Sequence, residues 1–395
     1  MKAVAVIDGE HYPPVVRDAL AELEHEVVAA YLAGGTEKIV GGEGYGVPLV
    51  EDFDAALSEY EPDLIFDLSD EPVLGPRERL MLASRALARG IPYAGADFRF
   101  DPPTFEPFAL PSVAVIGTGK RVGKTAVTGH VARLLARDHA VVVVAMGRGG
   151  PPEPEVIDSP PSVEELVARS RAGDHAASDY LETAALAGVT TVGCRRCGGG
   201  LAGAVAVSNV LAGAETAAGL RPDVVVFDGS GASIPPVETG ARILVAHDVG
   251  EGLNPYRVFI SDLVLTMDER VAEGAAELTS APVLCFDLRL RPVTPLEGRR
   301  TAVFTTGAAP VEHLDAEVVH VSRNLGRRAE LQAELAEVNA DVYLVELKAA
   351  AIDMVAQAAL DRGAEVVLAG NDVVCDGLDE ALLGLVGSAR EPALR

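Results

Sequence analysis

The sequence predicts an α/β protein of three consecutive units, with a parallel sheet in the middle one and the smallest unit last. Short apolar runs that read as strands alternate with stretches of helical period along the chain, the pattern of βαβ units. Two proline-rich stretches interrupt it: 98–111, with Pro102, Pro103, Pro107 and Pro111, and 291–295, Arg-Pro-Val-Thr-Pro. Neither can continue a helix. The expected domains are therefore 1–109, 110–290 and 291–395.

In the first unit, strands are expected at 3–7, 26–31 and 64–68, with helices at 14–23, 53–60 and 77–89. The second unit carries strands at 112–116, 140–145, 224–227, 243–247 and 263–266 and helices at 124–137, 163–172, 174–187 and 202–218. In the third, strands at 301–304, 317–321, 341–345 and 365–369 accompany helices at 326–337 and 349–363.

Composition narrows the function classes. With 395 residues, 49% hydrophobic and 23% charged, the chain has the make-up of a folded globular protein with several cores. No apolar run approaches the ~20 residues that span a bilayer, and the N-terminus reads as a strand entering a loop rather than a cleavable signal. Four cysteines (Cys194, Cys197, Cys285, Cys375) are too few for a secreted disulfide scaffold of this length. A cytoplasmic protein without membrane attachment is expected. The net charge of −26, from 33 basic and 59 acidic residues, repels nucleic acid. Only five lysines occur, Lys2, Lys38, Lys120, Lys124 and Lys348, and two of them lie within nine residues of each other in one loop.

That loop is 117–125: Gly117, Thr118, Gly119, Lys120, Arg121, Val122, Gly123, Lys124 and Thr125, between an apolar strand and a helix. It reads as a phosphate-binding loop. Backbone N–H groups and the helix N-terminus face a nucleotide phosphate, Lys124 neutralises the β/γ oxygens, and the Thr125 hydroxyl ligates Mg²⁺. The central unit is thus expected to be a P-loop NTPase domain, flanked by an N-terminal Rossmann-like domain and a smaller C-terminal α/β domain. Thr118 stands where the commonest form of the loop has glycine. The resulting Gly-Thr-x-x-x-Val-Gly-Lys-Thr pattern resembles the loop of dethiobiotin synthetase and its relatives.

Other segments add candidate chemistry. Four apolar residues end in Asp228, followed by Gly-Ser-Gly-Ala-Ser, so Asp228 is the expected second Mg²⁺ contact beside Thr125. After the strand at 140–145, glycines flank Arg148, whose guanidinium is suited to grip a phosphoryl group, while Glu153 or Glu155 completes the metal shell. Asp174 is expected to cap a helix bearing His175, Ser178, Asp179 and Glu182 on one face. Cys194-Arg195-Arg196-Cys197-Gly-Gly-Gly admits half of a zinc site, a redox pair, or a glycine-rich anion-binding turn leading into the next helix; the last fits best, because Cys285 and Cys375 are remote singles. In the first unit, Asp8-Gly-Glu-His-Tyr-Pro-Pro and Ser69-Asp-Glu-Pro follow strands, where open α/β sheets bind ligands.

Taken together, Asp-Gly-Glu-His-Tyr-Pro-Pro, Asp-Leu-Ser-Asp-Glu-Pro, the 117–125 loop, Met-Gly-Arg-Gly-Gly-Pro, His-Ala-Ala-Ser-Asp-Tyr, Gly-Cys-Arg-Arg-Cys-Gly-Gly-Gly and Asp-Gly-Ser-Gly-Ala-Ser-Ile-Pro-Pro resemble the cyclic 2,3-diphosphoglycerate synthetase family. The resemblance spans residues 3–375. It implies ATP- and Mg²⁺-dependent closure of a small phosphorylated substrate, 2,3-bisphosphoglycerate, into a cyclic pyrophosphate, and a homodimer. The catalytic set is then Lys124, Lys120 and Arg148. Arg148, His175, Asp179, Arg195, Arg196 and Ser230 are the substrate-binding set, and Thr125, Asp228 and Glu155 the metal set.

Three alternatives share the loop: a kinase that phosphorylates 2-phosphoglycerate and stops, a carboxylate-activating ligase, and a nucleotide-switched metal-insertion GTPase. The last commonly needs a guanine-reading Asn-Lys-x-Asp segment, and the nearest stretch, Leu265-Thr-Met-Asp268, lacks both Asn and Lys.

Overall fold

The computed structural model describes residues 1–35, 44–307 and 310–389, so Lys38 lies outside the described residues. Three sheets follow one another along the chain. The first contains β1 (Lys2–Ile7), β2 (Glu26–Leu32), β3 (Leu49–Val50), β4 (Leu64–Asp67), β5 (Tyr93–Ala94) and β6 (Arg99–Phe100), in the order β3-β2-β1-β4-β5-β6. All pairs but β5/β6 are parallel, so the order reverses between β1 and β4, as in a doubly wound sheet.

The central sheet comprises β7 (Ser112–Gly117), β8 (Val141–Gly147), β9 (Glu155–Ile157), β10 (Thr190–Cys197), β11 (Val207–Ser208), β12 (Val224–Asp228), β13 (Ala241–Ala246), β14 (Leu263–Thr266) and β15 (Val283–Cys285). Its order is β11-β10-β8-β12-β7-β13-β14-β15, with β9 on β10. Strands β7, β8 and β12 are buried on both faces, which is why they read as unbroken apolar runs rather than alternating ones. Because β8, β12, β7 and β13 are parallel neighbours, Arg148, Asp228, Thr118 and His247 all emerge at one edge of the sheet.

The third sheet is β16 (Asp287–Pro292), β17 (Arg300–Phe304), β18 (Glu317–Ser322), β19 (Val342–Glu346) and β20 (Glu365–Val374), ordered β16-β20-β19-β17-β18. It starts at Asp287, four residues before the expected boundary, because β16 pairs antiparallel with β20. The sheets are not independent bodies. Leu166, Tyr180 and Leu181 of the central unit share one apolar cluster with Phe304, Tyr343 and Leu347 of the third. The terminal helix Leu378–Ala389 returns to the central unit, burying Leu378, Leu382 and Val386 against Val113 and Val115. Phe108 meets Phe227 edge-on at 5.2 Å, anchoring the proline-rich connection.

Two expected helices begin later than their sequence pattern indicates. The helix expected at 174–187 runs Asp179–Ala187, because Gly173 (φ 90) and Asp174 close the preceding helix: Asp174 N–H donates to Arg169 C=O at 3.0 Å and Gly173 N–H to Ser170 C=O at 3.1 Å. The helix expected at 202–218 runs Val210–Gly219, and the segment before it pairs as β11. No described helix is long and apolar enough to cross a membrane.

Candidate active site

The loop 117–125 turns between β7 and the helix Lys124–Leu135. Two residues there take left-handed backbone, Arg121 (φ 62) and Gly123 (φ 91), the second at the helix N-cap. Thr118 uses its hydroxyl where glycine is commoner: Oγ1 accepts the His247 backbone N–H at 3.1 Å and lies 2.7 Å from His247 Nδ1. That pair ties the loop to the end of β13. At the loop's far end, Lys124 Nζ donates to Asp228 Oδ1 at 2.6 Å, and Thr128 Oγ1 donates to the same oxygen at 2.9 Å. Asp228 is 1% exposed; burial raises its carboxyl above the ordinary value and Lys124 opposes that shift.

In front of the loop lies a cavity of ≈ 310 Å³. Lys120, Arg121, Lys124 and Thr125 line it from the loop, Arg148 from the bend just after β8, Asp179 and Glu182 from the helix Asp179–Ala187, and Ser230 from the turn after β12. Arg196 Nη2 donates to Ser230 C=O at 2.8 Å, so it backs this turn. Burial first, and the Arg148 charge next, pull Arg196 below its ordinary value.

The remaining expected residues stand elsewhere. Glu155, expected in the metal set, has both oxygens committed: Oε1 accepts from Arg169 at 2.6 Å and Oε2 from the Tyr180 hydroxyl at 2.8 Å. Among the described residues, no three His, Cys, Asp or Glu side chains converge as a metal cage. His175 is exposed against Gly149 and does not line the cavity, since residues 174–178 are not helical and the expected polar face does not form. Arg195 and Arg196 lie within β10 rather than at a helix N-terminus, and strand alternation sends Arg195 to the other face, exposed and outside the cavity lining. The same alternation separates Cys194 from Cys197, which are buried and exposed respectively. Burial pushes the Cys194 thiol up to about 12, so neither the zinc nor the redox alternative finds a paired thiolate here. In the first sheet, Asp70 N–H donates to Asp8 Oδ2 at 2.8 Å, so the two strand-end loops are bound to one another.

Sequence reasoning missed several polar cavity residues, among them Arg133 from the loop helix and Glu346, Lys348 and Asn371 from the third unit. A signal existed for one of them: Lys348 is one of five lysines and stands two residues beyond the carboxyl end of an apolar strand.

A parallel sheet whose central strand feeds a Gly-Lys-Thr loop and a helix, with a carboxylate on the neighbouring strand end, defines a P-loop nucleotide-binding protein. Models of the N-terminal, P-loop and C-terminal domains of cyclic 2,3-diphosphoglycerate synthetase match residues 2–101, 112–278 and 292–372. Curated relatives of that name are 48% identical in Rubrobacter xylanophilus, over 98% of both chains, and 41% identical in Thermococcus gammatolerans, over 97% of this chain and 96% of that one. The chain belongs to the cyclic 2,3-diphosphoglycerate synthetase family. A crystal structure of the "apo" form of LpxK from Aquifex aeolicus in complex with ATP aligns at a TM-score of 0.44 and 15% identity, over 73% of this chain and 90% of that one, too distant to bear on function.

Proposed function

We propose that this chain closes 2,3-bisphosphoglycerate into cyclic 2,3-diphosphoglycerate, consuming ATP and releasing ADP and inorganic phosphate. The observation that carries this is the gathering of Lys120, Arg121, Lys124, Arg148 and Lys348 around one cavity in a chain of net charge −26. Joining two phosphates of one molecule brings dianionic groups together, which requires dense positive charge at that point and little elsewhere. The near full-length likeness to synthetases of that name supports the substrate.

The chemistry follows from the side chains. Lys124 stabilises the γ-phosphoryl as an oxygen of one substrate phosphate attacks it and ADP leaves, forming a substrate-borne anhydride. Lys120 faces the acceptor oxygen from the exposed part of the loop. Arg148 holds the other substrate phosphate within reach, with Asp179, Ser230 and the turn backed by Arg196 shaping that side. An oxygen of this second phosphate then attacks the inner phosphorus of the anhydride, forming the ring P–O–P bond and expelling inorganic phosphate. Both attacks are intramolecular or between held partners, so positioning supplies much of the rate. Phosphates are already ionised near neutral pH, and no general base is required.

Thr125 and Asp228 are the residues that would hold Mg²⁺. Both offer hard oxygen donors, and both hydrogen bonds to Asp228 fall on Oδ1. When bound, the ion supplies further neutralisation of nucleotide phosphate charge. The four free cysteines suit a reducing, cytoplasmic compartment. The homodimer implied by the family resemblance is tested by light scattering, as a particle of twice 41.1 kDa.

The decisive experiment is ³¹P NMR of the protein with ATP, Mg²⁺ and 2,3-bisphosphoglycerate, with 2-phosphoglycerate in parallel. Resonances of a new pyrophosphate distinct from ADP, with stoichiometric inorganic phosphate, are expected. Phosphorylation of 2-phosphoglycerate beside an inert bisphosphate would establish the kinase instead.

A further inference from the structure

Part of the cavity wall comes from the C-terminal unit, and among the described residues Lys348 is the one cation that unit brings to it. Strand β19 is buried throughout, and Lys348 follows two residues past its carboxyl end, the edge at which parallel sheets present ligand-binding groups. The backbone bends sharply there: Lys348 N–H donates to Glu346 C=O at 2.8 Å, and Ala349 takes a left-handed φ of 46. A side-chain-bearing residue in that conformation is costly, and such positions concentrate at ligand sites.

The nearest carboxylate in sequence does not serve Lys348. Glu346 Oε2 accepts from the Thr306 N–H at 2.9 Å and its hydroxyl at 3.2 Å, and Oε1 accepts from Asn371 Nδ2 at 3.1 Å. Lys348 Nζ instead faces Glu182 across the junction between sheets, 3.8 Å from Oε1. That separation is an ion pair without a hydrogen bond, so an anion offering short contacts competes with it readily. The groups facing the pair are Asp179 on the helix of Glu182, Glu346 on β19, Asp228 on β12 and Arg121 on the loop. Glu182 is 6% exposed, and burial pushes its carboxyl up to about 7, so its neutral form is within easy reach.

We propose that Lys348 binds a phosphate group of the substrate, and that Glu182 is its exchangeable partner, yielding the ammonium to the incoming phosphate and, where it is ionised, taking up a proton from solvent. The assignment rests on the reaction proposed above and makes the C-terminal domain part of the site: Lys124 serves the nucleotide phosphates, Lys348 a substrate phosphate at the wall that domain supplies. No substrate bond changes in this step; the proton ends on the Glu182 carboxyl group.

The test is calorimetric titration of 2,3-bisphosphoglycerate, without nucleotide, into the full chain and its variants in two buffers of different ionisation heat, with ATP titrated separately. Lys348→Met, which keeps the aliphatic stem, is expected to weaken bisphosphate binding about tenfold to 100-fold, the size of a charge-assisted hydrogen bond, with ATP affinity within about twofold of the parent. Lys348→Arg is expected to restore most of it. In Glu182→Gln, proton uptake on binding should fall to that of the substrate itself. Unchanged bisphosphate affinity in Lys348→Met, or a parallel loss of ATP affinity, would overturn the assignment. Wild type that forms cyclic product while Lys348→Met binds bisphosphate normally overturns Lys348 alone. Wild type that binds through Lys348 without cyclising overturns only the reaction, and wild type that binds no bisphosphate overturns both.

Discussion

Lys124 Nζ and Asp228 Oδ1 stand 2.6 Å apart, joining the first residue of the loop helix to the last residue of β12. The carboxylate is buried and, among the described residues, Lys124 is its one cationic partner, opposing the upward shift that burial imposes on Asp228. Lys124→Ala is expected to reduce turnover about 10³-fold or more, since the cation proposed to stabilise the transferring phosphoryl is gone. The fold is expected to survive at neutral pH, because an unpaired buried carboxyl takes up a proton rather than remain charged. Phosphate release and circular dichroism on the same sample check both halves. Retained turnover would remove the phosphate-loop mechanism.

The link between Thr118 and His247 gives a second prediction. A Cβ at Gly119 would lie 2.8 Å from His247 Cε1, nearer than real contacts allow, so Gly119→Ala must displace the ring that meets Thr118. Nucleotide affinity should fall about fivefold to 50-fold, the worth of one to two strained contacts. If the clash is the cause, Gly119→Ala/His247→Ala should bind nucleotide better than the sum of its single changes predicts. Strict additivity in titrations of ATP would show that the loop does not depend on this contact.

Much of this site is legible in the sequence because its parts are local. The loop 117–125, Asp228 and Arg148 each follow an unbroken apolar run, and a buried parallel strand announces its carboxyl end where polarity begins. What depends on tertiary pairing is hidden. Cys194-Arg195-Arg196-Cys197 with the glycines after it reads as a turn, yet these four residues end β10, which pairs with β8, β9 and β11, and that pairing decides that Arg195 and Arg196 face apart. Asp174 has the right chemistry for a helix start, but Gly173 before it is equally the signal for a helix end, and the Schellman closure wins. Lys348 and Glu182 are 166 positions apart by their numbering, and no local pattern states that they meet.

Glu155 separates a structural carboxylate from a metal ligand. Burial raises its pKa, but the hydrogen bonds from Arg169 and Tyr180 outweigh this and hold it below the ordinary value. A depressed folded pKa means stability present above the unfolded value of 4.5 and lost as the pH falls through the folded one. Glu155→Gln should therefore lower stability by about 1 kcal/mol at neutral pH, with less effect in acid. Its Mg²⁺ dependence of turnover should match the parent within about twofold, whereas loss of a ligand costs on the order of tenfold or more. A large rise in the Mg²⁺ requirement would return Glu155 to the metal set.

Glu182 carries the opposite sign. Burial is the largest influence on it, the Lys348 charge opposes burial, and the balance sets its folded pKa at about 7 against an ordinary 4.5. The folded state then binds the proton more tightly than the unfolded one, so the group's contribution is fully present below 4.5 and is lost as the pH rises towards 7. Above that the ionised carboxylate is a standing burden on the order of 3 kcal/mol before Lys348, half-exposed to water, regains hydration on its removal. Glu182→Gln keeps the shape and abolishes the titration. It should raise unfolding free energy by roughly 1–3 kcal/mol at about pH 8 and by little at about pH 5.5, where the parent residue is already neutral. Urea denaturation of both proteins at the two pH values measures this directly. A gain of equal size at both would assign the effect to packing rather than charge, and a loss at about pH 8 would mean that the Lys348 pair stabilises the empty cavity more than burial of the carboxylate costs.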